Sequence, residues 1–195
     1  MGNYKWNIND SDTSLPYVVV FLTSRNKDNV EVPNFKQRKR AYFMTQDIEK
    51  IAQKFDDFVN AGVPGEMCRC YVSVNARDPK KVKKALLLLL IEKDEINFDY
   101  LEPVVAGIAA KRENALEKKW MFDFDDDSIE DLKEFVADIR AIDPTVNPMP
   151  LPSPHGFSVI VEHGFDTREL LAKWTNVSLK RDDLFCYLWR NTSKN

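Results

Sequence analysis

The sequence predicts a fold of the α/β or α+β class, a mixed sheet with helices packed on its faces. Three observations carry that expectation. Segments with strand patterning alternate with segments whose apolar residues recur at helical spacing, in the order ββαβα and then αβαββαββ, as sheets covered by helices require. A chain of 195 residues has the length of one domain, or of one domain built from two lobes at about 15–98 and 99–190. An apolar fraction of 44% supplies a core, and 30% charged residues supply an ordinary water-facing surface.

Residues 1–14 are polar and read as a loosely tied arm. The stretch Leu15-Pro16-Tyr17-Val18-Val19-Val20-Phe21-Leu22 is β-branched and nearly continuous, which predicts a strand buried on both faces. Thr23 to Lys39 is a polar loop with Asn26, Asp28, Asn29 and Pro33, and it leads into the basic cluster Lys36-Gln37-Arg38-Lys39-Arg40. Phe35, Tyr42 and Phe43 flank that cluster. Basic residues interleaved with aromatics can grip a nucleic-acid backbone and stack bases; the same residues suit a solvated loop entering a strand at 41–44. Thr45 is placed to cap a helix whose inner face is Ile48, Ile51, Ala52, Phe55, Phe58 and Val59, stopping at Gly62 and Pro64.

Cys68 to Asn75 alternates strictly, so Cys68, Cys70, Val72 and Val74 face the core and Arg69, Tyr71, Ser73 and Asn75 form a polar stripe. Asp78-Pro79 opens a second helix, whose run Leu86 to Leu90 is apolar all round and is expected to be wrapped by other elements. A helix over about 101–116 follows, with Leu101, Val104, Val105, Ile108 and Ala109 inward. After the strand at Trp120, the Ser128-Ile129-Glu130-Asp131 capping pattern opens a helix burying Ile129, Leu132, Phe135, Val136 and Ile139. Ala141 to Pro154 carries five prolines, so it is extended and suits a sheet edge. Phe157–Glu162 is a strand, Asp166 caps a short helix through Trp174, and Val177–Leu179 and Leu184–Trp189 close the chain as strands.

Net charge is −3, so no global basic field draws in nucleic acid, and any such binding is local. Three cysteines make neither a disulfide scaffold nor a zinc site, and reduced thiols suit the cytosol. The start of the chain lacks the apolar core of a signal peptide, and the run Ala85–Ile91 is far too short to span a membrane. The expected location is therefore cytoplasmic, with no membrane partner.

The chemistry is concentrated in Lys118-Lys119-Trp120-Met121-Phe122-Asp123-Phe124-Asp125-Asp126-Asp127-Ser128. As a strand, it points Trp120, Phe122 and Phe124 to one face and Met121, Asp123 and Asp125 to the other. Two carboxylates one aromatic apart on a face repel unless a proton or cation sits between them. A divalent cation held by Asp123 and Asp125 satisfies that demand, with Asp126 and Asp127 as further oxygen donors. An acidic run that favours the N-terminal dipole of the helix from Ser128 is the other reading of the same residues.

Three features of the second half occur together: the hydrophobic strand ending in Asp123-x-Asp125, the turn Ser153-Pro154-His155-Gly156 into an apolar strand, and Lys180-Arg181-Asp182-Asp183 before the last strand. Over about residues 115–190 this resembles the palm of archaeo-eukaryotic-type primases and primase-polymerases. The resemblance implies an RRM-like βαβ core in the second half. It implies Mg²⁺ or Mn²⁺ held by Asp123 and Asp125, with Asp182 or Asp183 as the third acid, and Asp183 the nearer to the last strand. It also implies that Lys180 and Arg181 contact phosphates of a nucleotide or nucleic-acid end, and that His155 acts as an acid or a phosphate donor. In that family the histidine follows the glycine by two residues, whereas Gly156-Phe157 is followed here by Ser158, so the motif is degenerate.

Arg69-Cys-Tyr-Val-Ser-Val-Asn75-Ala-Arg77, Trp120 to Asp125 and Pro154-His-Gly156-Phe are also similar to stretches of uncharacterised tailed-bacteriophage proteins. This adds Arg69 and Arg77 as candidate nucleic-acid or phosphate contacts lining the same cleft. Two functions are thereby expected: a metal-dependent nucleotide-binding or phosphoryl-transferring protein, possessing a degenerate nucleotidyltransferase site, or a catalytically inactive protein that targets a host nucleic-acid-handling or defence complex. For a viral protein, the compartment is the host cytoplasm.

Overall fold

The computed structural model describes residues 16–193, and the side chains of residues 39–42 lie outside that description. The polar arm expected over 1–14 also lies outside the described residues. Eight strands and five α-helices follow in the order β1 (Val18–Ser24), β2 (Arg38–Thr45), α1 (Ile48–Asn60), β3 (Met67–Ser73), α2 (Pro79–Glu92), α3 (Leu101–Ala109), β4 (Trp120–Phe124), α4 (Ile129–Ile142), β5 (Met149–Ser153), β6 (Gly156–Val161), α5 (Arg168–Lys173), β7 (Val177–Lys180) and β8 (Leu184–Asn191).

The fold is α+β, but its strands form two antiparallel sheets where a single mixed sheet was expected. The first has the order β2-β1-β3-β8 and the second β5-β6-β4-β7. The reason lies in the crossovers. Helix α4 links β4 to β5, and α5 links β6 to β7; each pair runs parallel but has one strand between its members, antiparallel to both. The sequence β4-α4-β5-β6-α5-β7 with β4 and β6 at the centre is the split βαβ, ferredoxin-like arrangement. A division at residues 98/99 is not where the sheets divide, because α3 packs on the first sheet and β8 returns to pair with β3.

Strand β1 is buried on both faces, as its uninterrupted β-branched run demands. Val18, Val20 and Leu22 join Ile51, Phe55 and Phe58 of α1 in one core cluster. Val19, pointing the other way, packs with Val82 of α2 and Ala106 and Ile108 of α3. Met121, Leu151 and Ile160 of the second sheet belong to the first of these clusters. On its far face, the second sheet buries Phe122, Phe124, Val159 and Val161 against Leu132, Phe135 and Ile139 of α4 and Leu170 of α5.

Several local expectations are corrected by tertiary contacts. Helix α1 is capped by Asp47, whose Oδ1 accepts from the backbone N–H groups of Glu49 and Lys50, while Thr45 ends β2. Its buried stripe is therefore Ile51, Phe55, Phe58 and Val59, with Ile48 and Ala52 exposed. Helix α2 is not wrapped: Val82 alone is fully buried, and Leu87, Leu88 and Ile91 face outward. Helix α3 stops at Ala109 because Asn114, in a following 3₁₀ turn, donates its Nδ2 to the Ile108 carbonyl at 2.8 Å and so satisfies the helix end. Ser128 does cap α4, accepting from Asp131 N–H, although Ile129 stays exposed. The proline-rich segment becomes β5, an edge strand with Pro150 and Pro152 outward, where missing N–H donors cost nothing.

The polar stripe of β3 is not a solvent face. Arg69, Ser73 and Asn75 are all buried. The Ser73 hydroxyl accepts from Val19 N–H and donates to the Asn75 carbonyl. The Asn75 amide donates to the Lys119 carbonyl at 3.1 Å and accepts from Lys119 N–H at 2.8 Å, which ties the entry of β4 to the exit of β3.

Candidate functional site

That tie brings the cleft-facing side of β4 opposite the polar face of the first sheet. Between them lies a cavity of about 460 Å³ lined by both sheets, with Asp123, Asp125, Asp183, Lys27, Arg69 and Lys180 among its walls and Phe21, Tyr71 and Met121 supplying apolar surface.

The acidic wall follows from strand periodicity with an aromatic anchor behind it. Phe122 meets Phe135 edge-on at a centroid separation of 5.4 Å, and Phe124 packs on Phe135 and Trp174. With those rings locked in the helix-facing core, Met121, Asp123 and Asp125 must point into the cleft. Asp123 is half-buried and Asp125 exposed. Burial raises the Asp123 carboxyl above its ordinary value of 3.8 and the neighbouring Asp125 raises it further, with Asp183 adding to both and Lys180 and Lys27 opposing. Among the described residues, no ion pair or hydrogen bond engages either carboxylate.

The basic wall is organised by a residue that strand and helix patterning did not single out as functional. Asp28 sits in a single 3₁₀ turn after β1, with its side chain 0% exposed. It accepts from Arg25 Nε at 2.8 Å, from Arg69 Nη2 at 2.5 Å and from His155 Nε2 at 3.1 Å, the last requiring that Nε2 carry the ring proton. Burial pushes the Asp28 carboxyl upward, but the hydrogen bonds from Arg25 and His155 and the charge of Arg69 outweigh it and hold the group below 3.8. Arg69 also donates Nη1 to the Tyr71 hydroxyl at 3.3 Å, while its buried Nε has no partner among the described residues.

His155 reaches this network because the β5–β6 hairpin is seated on the end of β4. Gly156 has φ of +133°, and a Cβ there would lie 2.2 Å from the Phe124 carbonyl oxygen. Only glycine permits that approach, and it fixes Ser153 and His155 beside Asp125 at the mouth of the cleft.

The candidate residues thus divide. Asp123, Asp125, Asp183, His155, Arg69 and Lys180 line the cleft. Arg77 does not: its guanidinium is sealed in the interior, 1% exposed, and paired with both oxygens of Asp182 at 2.9 Å. That pairing removes Arg77 as a phosphate contact and Asp182 as the third acid. Arg181 lies outside the cleft, stacked over the Trp120 ring at 5.1 Å. Asp183 accepts from Leu184 N–H through Oδ1. In the basic cluster that runs into β2, Arg38, the first residue of the strand, is consumed by buried Glu66 at 2.6 Å, and Gln37 borders the cleft. Arg25, Lys27 and Asp28 are functional candidates that patterning missed. Their only local signal is the i, i+3 spacing of Arg25 and Asp28, which is common in any polar loop.

Among the described residues, no three His, Cys, Asp or Glu side chains are grouped closely enough to form a metal cage. Asp123 and Asp125 therefore fit only a cation that takes its remaining ligands from elsewhere. Mg²⁺ commonly binds in that way, through one or two carboxylates, substrate phosphates and water. No protein-family model, curated protein or solved structure matches the chain. No helix of the described residues is long and apolar enough to cross a membrane.

Proposed function

We propose that the cleft binds a nucleotide or a nucleic-acid end through its phosphates together with Mg²⁺ or Mn²⁺, as a phosphoryl-transfer site of primase-like type in the host cytoplasm. The observation that carries this reading is that Asp123 and Asp125, whose carboxylates have no partner among the described residues and which share their sheet with Lys180, face Lys27 and Arg69 across one cavity. A bound divalent ion supplies charge neutralisation of phosphate oxygens. Asp123 and Asp125 hold that charge on one wall. Lys180 stands beside them on β7, and Arg69, oriented by Asp28, and the ammonium group of Lys27 meet phosphate oxygens on the other wall. His155 carries an Nε2 proton at the mouth and can turn that hydrogen bond from Asp28 to a phosphate oxygen. Tyr71 and Phe21 offer flat apolar surface to a base or sugar.

Titration calorimetry distinguishes this from ordinary acidic surface. Mn²⁺ alone is expected to bind weakly, and a nucleoside triphosphate with Mn²⁺ to give a clear heat that disappears in Asp123→Asn/Asp125→Asn. Equal heats for the variant and the parent protein would refute the proposal.

A second reading, an inactive protein that occupies a host nucleic-acid-handling or defence complex, draws on the absence of a three-ligand metal group among the described residues. It also draws on the exposed acids Asp125 and Asp127 at the cleft mouth and Glu130 in the first turn of α4. Recovery of one host protein from lysate, retained by the Asp123→Asn/Asp125→Asn variant, favours it over the first.

A further inference from the structure

Between its N-cap Asp78 and its C-cap Lys93, helix α2 carries its charges against its own dipole. Its first turn has no acidic residue, and Lys80, Lys81, Lys83 and Lys84 crowd its N-terminal half, although a helix N-terminus favours negative charge. Glu92 closes the helix, and Asp94 and Glu95 follow at the end that favours positive charge. Between these blocks Leu87, Leu88 and Ile91 form one apolar stripe, 49%, 51% and 80% exposed. The opposite side of the helix is already used, with Val82 and Leu86 packed against β1 and α3. Lys84, Glu92, Asp94 and Glu95 take part in no ion pair among the described residues.

We infer that this face of α2 pairs with the same face of a second copy of the chain, antiparallel and related by a two-fold axis beside Leu88. Lys84 and Glu92 stand one turn before and one turn after Leu88, about 6 Å away along the axis in each direction. Reversing the partner helix about Leu88 sets Lys84 of each copy beside Glu92 of the other and buries the leucine stripe between them. The acidic segment after each helix then meets the lysine-rich half of its neighbour, and the two dipoles oppose. A partner of one charge sign would answer only half of this pattern; a reversed copy answers both halves. The contact is self-complementary, so it closes as a dimer and does not propagate.

Sedimentation equilibrium on the full chain tests the inference. A dimer is expected in the micromolar range, weakening as salt rises from about 0.05 to about 0.5 M because its flanking pairs are exposed. Leu88→Glu, at an exposed position that leaves the fold intact by circular dichroism, raises the dissociation constant about thirtyfold or more, the size of a hot-spot loss. Lys84→Glu weakens the dimer, and Lys84→Glu/Glu92→Lys restores it. A monomer at all concentrations overturns the inference, whatever else covers the face. So does a dimer indifferent to Leu88→Glu, or a charge exchange that leaves association as weak as Lys84→Glu alone.

Discussion

Replacing Asp28 by Asn removes the anion that is ion-paired with a nearly buried guanidinium. The Arg69 side chain is 5% exposed and Asp28 0%, whereas Arg25 is about a quarter open and can rehydrate. Breaking a buried pair by deleting one partner costs roughly 3–5 kcal/mol, most of it the uncompensated charge left behind. Asn keeps one oxygen to accept from one of the donors, and Arg69 keeps the Tyr71 hydroxyl, so the lower end, about 3 kcal/mol at pH 7, is expected. For a domain of ordinary stability that is a large share of the total. Urea denaturation followed by tryptophan emission measures it.

Two further readings make the cause specific. The double variant Asp28→Asn/Arg69→Met is expected to recover most of the loss, because the stranded charge is gone. The Asp28 carboxyl is held below 3.8 in the fold, so its contribution is complete above that pH and is lost as pH falls below it through the folded value. The parent protein should therefore lose stability over that acid window, and the variant should lose less. A cost below about 1 kcal/mol, or identical acid profiles, would refute the assignment of Asp28 as the organiser of the basic wall.

Gly156→Ala places a Cβ 2.2 Å from the Phe124 carbonyl oxygen at a φ of +133°. The hairpin must lift away, so a loss of about 2–4 kcal/mol is expected from the strained backbone and the displaced turn. The His155 ring signals in NMR should move with it, and unchanged His155 signals would show that the hairpin does not depend on this approach. Asp123→Asn is expected to raise the melting temperature at pH 7, because a carboxyl whose pKa is raised in the fold loses stability as pH climbs from 3.8 through its folded value. The gain should vanish near pH 3.8 and below, where the parent carboxyl is protonated folded and unfolded alike; a variant no more stable than the parent at pH 7 would contradict the strained acidic wall.

Much of the framework is local and therefore legible in the chain itself. Period-two alternation places Trp120, Phe122 and Phe124 on one face of β4 and Asp123 and Asp125 on the other, whatever packs against them. Prolines at 148, 150 and 152 confine their segment to an edge, and Asp78 and Ser128 announce the starts of α2 and α4. The continuous Val18–Leu22 run demands cover on both sides, and α1 on one side and α2 with α3 on the other provide it.

What periodicity cannot specify is which distant group answers a given charge. Arg69 and Arg77 look alike in sequence, two arginines on or just beyond one alternating strand. Tertiary structure gives the first to Asp28 and the cleft, and seals the second against Asp182, 105 residues further along. Asp28 lies in a loop with no pattern to mark it, and becomes central only because β3 and the β5–β6 hairpin converge on that loop. The leucine run of α2 asks for apolar cover on every side but does not say from where. Within the described residues β1 and α3 supply one side only. Local stereochemistry decides where elements begin and which way side chains alternate; burial and ion pairing depend on segments far apart in the chain, and only the assembled fold decides those.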